Sequence, residues 1–279
     1  MKLGINAYTF MWSIGFQGPN PAFPDRAARP AHPLTPLGLL EKAYQLGIGL
    51  VQTGPNLPLD RLSEGELEHF IQQAREWGIT LELGTRGLDL YHLVKQVALA
   101  ERIGANLIRT LPEIDGKYAT EGRLIPPAVR KVLPVLEKAG IQLGIENGRT
   151  PADELKSALD EIGSPYVGVV LDMVNSLAVA EGWKEVTHKL ARHVMCVHYK
   201  DFTMRRAWHM MGFICEGIPS GKGMVDTRWL LNELKVSPYD FNVIIELWPP
   251  EQPQLEDTIR LEQQWAEESV PYMRQFIKE

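Results

Sequence analysis

The chain has 279 residues, 44% hydrophobic, 23% charged and 8% aromatic, proportions that exclude a disordered, collagenous or low-complexity protein. Lys and Arg number 29 against 35 Asp and Glu, a net charge of -6 that weighs against a general nucleic-acid binder. No uncharged apolar run approaches the roughly 20 residues of a membrane span. Cys196 and Cys215 are too few for a disulfide framework or a Cys-based zinc site, so a reduced, cytoplasmic setting without membrane attachment is expected. The opening segment MKLGINAYTFMWSIGF has one Lys, a polar Asn6 inside its apolar stretch and no small-x-small cleavage site, and reads as a first strand rather than a signal peptide.

That strand is predicted over residues 2–8, followed by a Pro- and aromatic-rich loop over 9–33. Thr35-Pro36 opens a helix reaching 47, and a second strand spans 48–53. Ser63 and Glu66 form a capping box for a helix ending at 78, before a third strand over 79–83. A helix over 90–104, a strand over 107–110 and a helix over 126–140, kinked at Pro134, complete the first half. The second half is more regular. A strand over 141–146 leads to a helix capped at Thr150 and ending at 163; a strand over 166–172 leads to a helix over 177–193. The seventh strand is 194–200, followed by a long loop over 201–224 and a helix over 226–235. The eighth strand is 242–247, and a helix over 256–277 closes the chain.

Strands alternating with helices imply parallel pairing through right-handed crossovers. Eight such units, with no composition break and no GxGxxG after any strand, read as one (β/α)8 TIM barrel over residues 1–279. The loops over 9–33 and 201–224 are its expected active-site lids.

Active sites of such barrels sit at the C-terminal strand ends. Strands two to four end at Thr53, Gly84 and Thr110, whereas strands five to eight end at Glu146, Asp172, His198 and Glu246. Taken singly, Asp172 could cap the next helix and His198 could be a satisfied core histidine. Side chains two apart share a face, so Gly144 and Gln142 would point inward behind Glu146, Val170 and Gly168 behind Asp172, Cys196 and Val194 behind His198, and Ile244 behind Glu246. Three carboxylates around one point cannot all stay ionised in a buried place without a cation. A divalent metal answers this, and three oxygens with one imidazole suit manganese first, with magnesium, cobalt or zinc as alternatives.

These residues carry a resemblance. Ile145-Glu146-Asn147, Val170-Leu171-Asp172, Val197-His198-Tyr199-Lys200-Asp201 and Ile245-Glu246 resemble, in order and spacing, the metal motifs of the xylose isomerase-like barrels. More narrowly they resemble the sugar phosphate isomerase/epimerase group, which includes ketose 3-epimerases, dehydratases and related lyases. The resemblance implies one divalent ion held by Glu146, Asp172, His198 and Glu246, with Glu146 and Glu246 also moving protons on opposite sides of a carbohydrate. Many members carry Asp-x-x-His after strand six; here Asp172-Met173-Val174-Asn175 puts Asn175 there, which can hydrogen-bond a hydroxyl but cannot titrate.

A carbonyl oxygen bound to a metal stabilises an enediolate as charge develops, while a held carboxylate takes the proton. Isomerase or epimerase chemistry on a sugar or sugar acid is therefore the first expectation. A metal-dependent carbohydrate lyase, such as a 3-oxo sugar acid decarboxylase, a dehydratase or a glycoside-eliminating enzyme, is the second. Arg86, Arg109 and Arg149 near strand ends three to five, with Lys200, Arg205, Arg206 and His209 in the seventh loop, favour an anionic substrate. The alternative is that several of these cations cap helices or pair with the ligand carboxylates. Tyr8, Phe10, Trp12 and Phe16 after strand one, and Trp208, Met210, Met211 and Phe213 in the seventh loop, are candidates to stack on a sugar or to pack between copies in a homo-oligomer. Asn175, Arg109, Lys200, Arg205, His209, Tyr8 and Trp12 are the expected substrate contacts. Gly221-Lys222-Gly223 is a weak phosphate signal, and His69, His92 and His188 read as solvated helix residues. An apurinic-site endonuclease would need further histidines where Thr53, Gly84 and Thr110 stand.

Overall fold

The computed structural model describes residues 1–15 and 29–278, so Phe16 and most of the 9–33 loop lie outside the described residues. Eight parallel strands close into a barrel: β1 (Leu3–Asn6), β2 (Leu50–Gln52), β3 (Thr80–Gly84), β4 (Leu107–Thr110), β5 (Gln142–Glu146), β6 (Val167–Asp172), β7 (Val194–Tyr199) and β8 (Asn242–Ile245). Each pairs with its sequence neighbours and β1 pairs with β8, so no edge is left open. Helices between the strands cover the outside, as β-branched, doubly buried strands require.

The interior holds a small apolar layer of Leu50, Leu107, Val170, Met195, Cys196 and Ile244. Gly144 makes room for it, because a Cβ there would meet Val170 Cγ2 at 2.6 Å. The predicted parity holds for Val170, Cys196 and Ile244 and fails for Val194. Val169 pairs with Val194 but Val170 pairs with Cys196, so a β-bulge inserts Met195 as an extra residue. Met195 therefore enters the interior layer, and Val194 joins the outer core between strands and helices.

Four other segments differ from the sequence-based reading. Residues 177–193 are not one helix but a turn at Asn175–Val179, a helix over Trp183–Leu190 and a turn at Ala191–His193; Ala180, at φ 62°, and Gly182 interrupt them. Thr150 is not a cap: its hydroxyl donates to Ala119 O (2.6 Å), and Glu181 instead accepts from Ala152 N (3.0 and 3.1 Å). The two long loops carry structure of their own. Met11–Ile14 forms one helical turn, and Asp201–Arg206 pairs antiparallel with Phe213–Ile218 as a hairpin beyond β7. The Ser63–Glu66 capping box forms as predicted, and the helix Ile125–Ala139 continues through Pro134. Among the described residues no helix is long and apolar enough to cross a membrane.

Candidate active site

The strand ends converge as their inward parity demands. Asp172 lies opposite His198 in the β6–β7 register, and Glu146 opposite Val170. One ligand atom each from Glu146, Asp172 and His198 lies within 4.8 Å of the others, and all three side chains are buried. Glu246 joins them through His198, whose Nδ1 is 3.0 Å from Glu246 Oε1 and 3.3 Å from Glu146 Oε2. Lys200 Nζ bridges Asp172 (2.6 Å) and Glu246 (2.8 Å).

Every oxygen of the two glutamates meets a donor from the chain. Glu146 accepts from Asn175 Nδ2 (2.7 Å) at Oε1 and from Arg109 Nε at Oε2. Glu246 accepts from Asn6 Nδ2 at Oε1 and pairs with Lys200 at Oε2. Asp172 takes the capping role considered for it. Its Oδ1 accepts from Val174 N (2.7 Å) and Asn175 N (2.9 Å), capping the turn that follows, while Oδ2 faces Lys200. Asn147 locks the β5–β6 corner, accepting from Asp172 N (2.7 Å) and donating to Asp172 O (3.0 Å) and Ser176 Oγ (2.9 Å).

Charge is finely balanced. Burial pushes the Glu146 carboxyl up, but Arg109 and then His198 outweigh it and hold it at about 2. Glu246 is likewise held well below the carboxylate range: burial is outweighed by His198 and Lys200. For Asp172 burial wins over Lys200, and its carboxyl is raised. Burial pushes the His198 imidazole down, but Glu246 and Glu146 lift it to about 9. Three carboxylates against Arg109 and Lys200 leave one negative charge, which an imidazolium or a divalent ion offsets.

The donor set fits a metal. Gln52 Nε2 donates to Glu82 Oε2 (2.9 Å), so the network assigns Gln52 Oε1 as the atom facing His198 Nε2 at 2.7 Å. Nε2 then carries a proton, and Nδ1, which faces Glu146 and Glu246 and holds the second proton of the imidazolium, is the nitrogen that would offer its lone pair to an ion displacing that proton. That buried Nδ1 makes no aligned hydrogen bond among the described residues. Glu146, Asp172 and His198, with ligand atoms all within 4.8 Å of one another, are the residues that would hold a divalent ion, with Glu246 beside them.

Other expected residues divide into two groups. Arg109, 5% exposed, points into the barrel, but its Nε is spent on Glu146 and its Nη1 on Thr85 O (3.2 Å). The Tyr8 ring lies 5.8 Å from the Arg109 guanidinium, at the mouth of the cluster. Trp12 is buried and its backbone N–H donates to Glu262 of the closing helix (2.9 Å), while Phe10 is fully buried in the core, so neither is an exposed lid aromatic. Arg205 pairs with Glu216 (3.1 Å) along the exposed hairpin. His209 Nδ1 accepts from Met211 N (3.2 Å) at the hairpin tip, where Trp208 and Met211 are 91% and 87% exposed. Arg86 forms a bidentate pair with Glu113 (2.6 Å each), and Arg149 stacks at 5.7 Å over Tyr118. The Gly221-Lys222-Gly223 segment is no phosphate cradle: Gly221, Gly223 and Val225 N–H groups all donate to the Asp201 carboxylate, and Lys222 pairs with Glu268. His92 is half-buried against Thr85 Oγ1 (2.7 Å) rather than solvated.

The sequence reading missed Asn6, Gln52 and Glu82, each at most 2% exposed beneath the cluster. The signal was present. Inward parity runs Leu50–Gln52 on β2 and Glu82–Gly84 on β3, one residue before the ends at Thr53 and two before Gly84.

Comparison with known proteins agrees with this picture. The family model described as xylose isomerase-like TIM barrel matches residues 40–274. The 3-oxo-isoapionate decarboxylase of Pectobacterium atrosepticum is 32% identical over 274 residues, 98% of this chain and 95% of that protein. A xylose isomerase-like TIM barrel protein from Mycobacterium smegmatis, solved in complex with magnesium, superposes with a TM-score of 0.67 at 15% identity, covering 96% of this chain and 97% of that one. D-psicose 3-epimerase from Clostridium cellulolyticum, solved with D-tagatose, gives a TM-score of 0.67 at 15% identity, covering 99% of each chain. At these identities the structural likenesses bear on the fold alone. The matched span takes in seven of the eight barrel strands and all four motif residues, and the chain belongs to the xylose isomerase-like TIM barrel family.

Proposed function

We propose that this chain is a divalent-metal-dependent lyase that releases carbon dioxide from a 3-oxo sugar acid, with Glu146, Asp172, His198 and Glu246 as ligands and manganese as the ion assigned first. The observation that carries this reading is Lys200 Nζ, held 2.6 Å from Asp172 and 2.8 Å from Glu246 at the strand ends, an ammonium placed to return one proton to a carbon. Arg109, Asn175, Asn6 and Lys200 together engage all four oxygens of Glu146 and Glu246 and hold both carboxylates in place. Epimerisation needs one group to take a proton on one face of the carbon and another to return it on the other. Decarboxylation needs no base, only an acceptor for the electron pair and one proton for the carbon. The 32% identity to a decarboxylase of a 3-oxo sugar acid supports the same choice.

A bound divalent ion supplies a Lewis acid for the ketone oxygen. In the reaction, the bond between the carboxyl group and the neighbouring carbon breaks. Its electron pair forms the carbon–carbon double bond of an enolate, carbon dioxide leaves, and a proton then returns to that carbon. Lys200 is the group assigned to that delivery. Burial pushes its ammonium down, but Asp172 and Glu246 outweigh this and keep it protonated. Arg109 keeps Glu146 ionised and oriented, and Asn175 holds the opposite oxygen, so the ligand is fixed before substrate enters. Tyr8, with its hydroxyl held protonated chiefly by burial, lines the mouth. Conversion of a 3-oxo sugar acid in deuterated water tests the proposal. Metal-dependent carbon dioxide release with one deuterium per product is expected. Deuterium entering ketoses without carbon dioxide release would establish the epimerase reading instead.

A further inference from the structure

Beneath the ligand cluster lies a fourth buried carboxylate that the proposed reaction does not use. Glu82 is 1% exposed, and no cation among the described residues pairs with it. Its donors are neutral: Asn242 Nδ2 at Oε1 (2.7 Å), and Gln52 Nε2 (2.9 Å) with the more distant Cys196 thiol (4.0 Å) at Oε2. Burial accordingly pushes its carboxyl up. An aliphatic residue would fill this layer without the cost of burying a carboxylate, so its contacts call for an explanation.

We propose that Glu82 and Gln52 form a positioning relay that fixes which nitrogen of His198 faces the metal ligands, and thereby sets the affinity of the site for a divalent ion. The inference rests on the metal reading above and concerns residues that touch neither the ion nor the substrate. Gln52 and Glu82 are register partners on β2 and β3, so the sheet itself brings their side chains together. A carboxylate accepts at both oxygens and donates at neither, so it receives both amides at once. Asn242 cannot turn, because its Oδ1 accepts from Lys2 N (2.8 Å). Gln52 must direct its nitrogen at Glu82 and therefore its oxygen at His198 Nε2 (2.7 Å). Nε2 is thus a donor, and Nδ1 is the nitrogen that faces Glu146 and Glu246 and would ligate the ion. Orienting partners of this kind change metal affinity about 10–100-fold when removed.

The relay makes a directional prediction for Glu82→Gln. The new amide has one oxygen and one nitrogen for two incoming donors. Asn242 is locked, so the oxygen goes to Asn242 and the nitrogen faces Gln52. Gln52 then turns over and offers its NH2 to His198, which favours the tautomer with the proton on Nδ1, where it obstructs the ion. Gln52→Met removes the link outright at similar length.

The experiment is Co²⁺ titration of metal-free full-length protein, by chelator competition and visible absorption, for the wild type, Glu82→Gln, Gln52→Met and the double variant. Circular dichroism and thermal melting of the metal-free forms accompany it. The dissociation constant should rise about 10–100-fold in each single variant, with the double no weaker than the weaker single, because both act through one relay. A role limited to filling the barrel would lower the melting temperature and leave the dissociation constant within twofold, and that result would overturn the relay. Gln52→Met carries the test alone if Glu82→Gln does not fold. A wild type that takes up no Co²⁺ would refute the metal reading and the relay with it, an outcome distinct from variants that bind as the wild type does.

Discussion

Arg109→Ala is the sharpest perturbation of the cluster. The guanidinium is 5% exposed and is the cation that meets Glu146, itself 2% exposed. Removing one partner of a buried pair costs about 3–5 kcal/mol, because the remaining charge stays desolvated. Proton linkage is of the same order: a carboxyl lowered from 4.5 to about 2 by Arg109 together with His198, against burial, contributes about 3 kcal/mol from all these neighbours at about 1.4 kcal/mol per unit. The sign follows from the depressed value. This contribution is present above the unfolded value of 4.5 and is lost as pH falls through about 2. The assay is thermal and urea unfolding of the metal-free wild type and variant, at pH 7 and stepwise down to pH 3. At pH 7 the variant should melt roughly 10 °C lower. The gap should narrow progressively below 4.5, and a divalent ion should recover part of it by replacing the guanidinium beside Glu146. A difference under about 1 kcal/mol, or a gap unchanged down to pH 3, would refute the assignment of Arg109 as the counter-charge of Glu146. Because the guanidinium is engaged this way, turnover should fall on acidic and neutral substrates alike.

Two further outcomes are expected. Glu246→Gln should keep the far-ultraviolet circular dichroism of the barrel and lose turnover by about 100-fold or more, since it touches Lys200, His198 and Asn6 together; near-normal turnover would remove Glu246 from the machinery. Glu262, buried and accepting from Trp12 N, Ser13 N and Ser13 Oγ, is pushed by burial up to about 7. Between 4.5 and about 7 the folded chain keeps a proton that the unfolded chain has released, so wild-type stability should fall by about 3 kcal/mol as pH rises through that window. Glu262→Gln should flatten that slope, and unfolding curves with identical pH dependence for the two proteins would contradict the assignment.

The barrel was legible because hydrophobic alternation and helix caps are local signals, and eight repetitions of them leave few topologies. The β4 strand, Leu107–Thr110, matches its predicted bounds because Arg109 and Thr110 end an apolar run abruptly. Met195 was not legible, because a bulge between Val169 and Val170 depends on how two distant strands align and not on either strand alone. The hairpin over Asp201–Ile218 was hidden for a related reason: its stem is set by pairing, and Asp201 gathers the N–H groups of a later loop. In the site, the four acidic and imidazole groups stood out because they end consecutive strands. Glu82 and Gln52 did not, because they lie one layer deeper, where only register shows that they meet. Arg109 stood out as a cation at a strand end, but which anion it serves depends on the β4–β5 pairing that sets Arg109 against Gly144, two residues before Glu146.

The most direct test of the account is elemental analysis of the protein purified without added metal and again after soaking with Mn²⁺, Co²⁺ or Zn²⁺, beside His198→Ala. The account predicts one divalent ion per wild-type chain and loss of that ion in the variant, with both proteins folded. A wild type that stays metal-free after soaking, or a variant that binds as much as the wild type, would contradict it. The four strand ends would then form an ion-pair network of structure only.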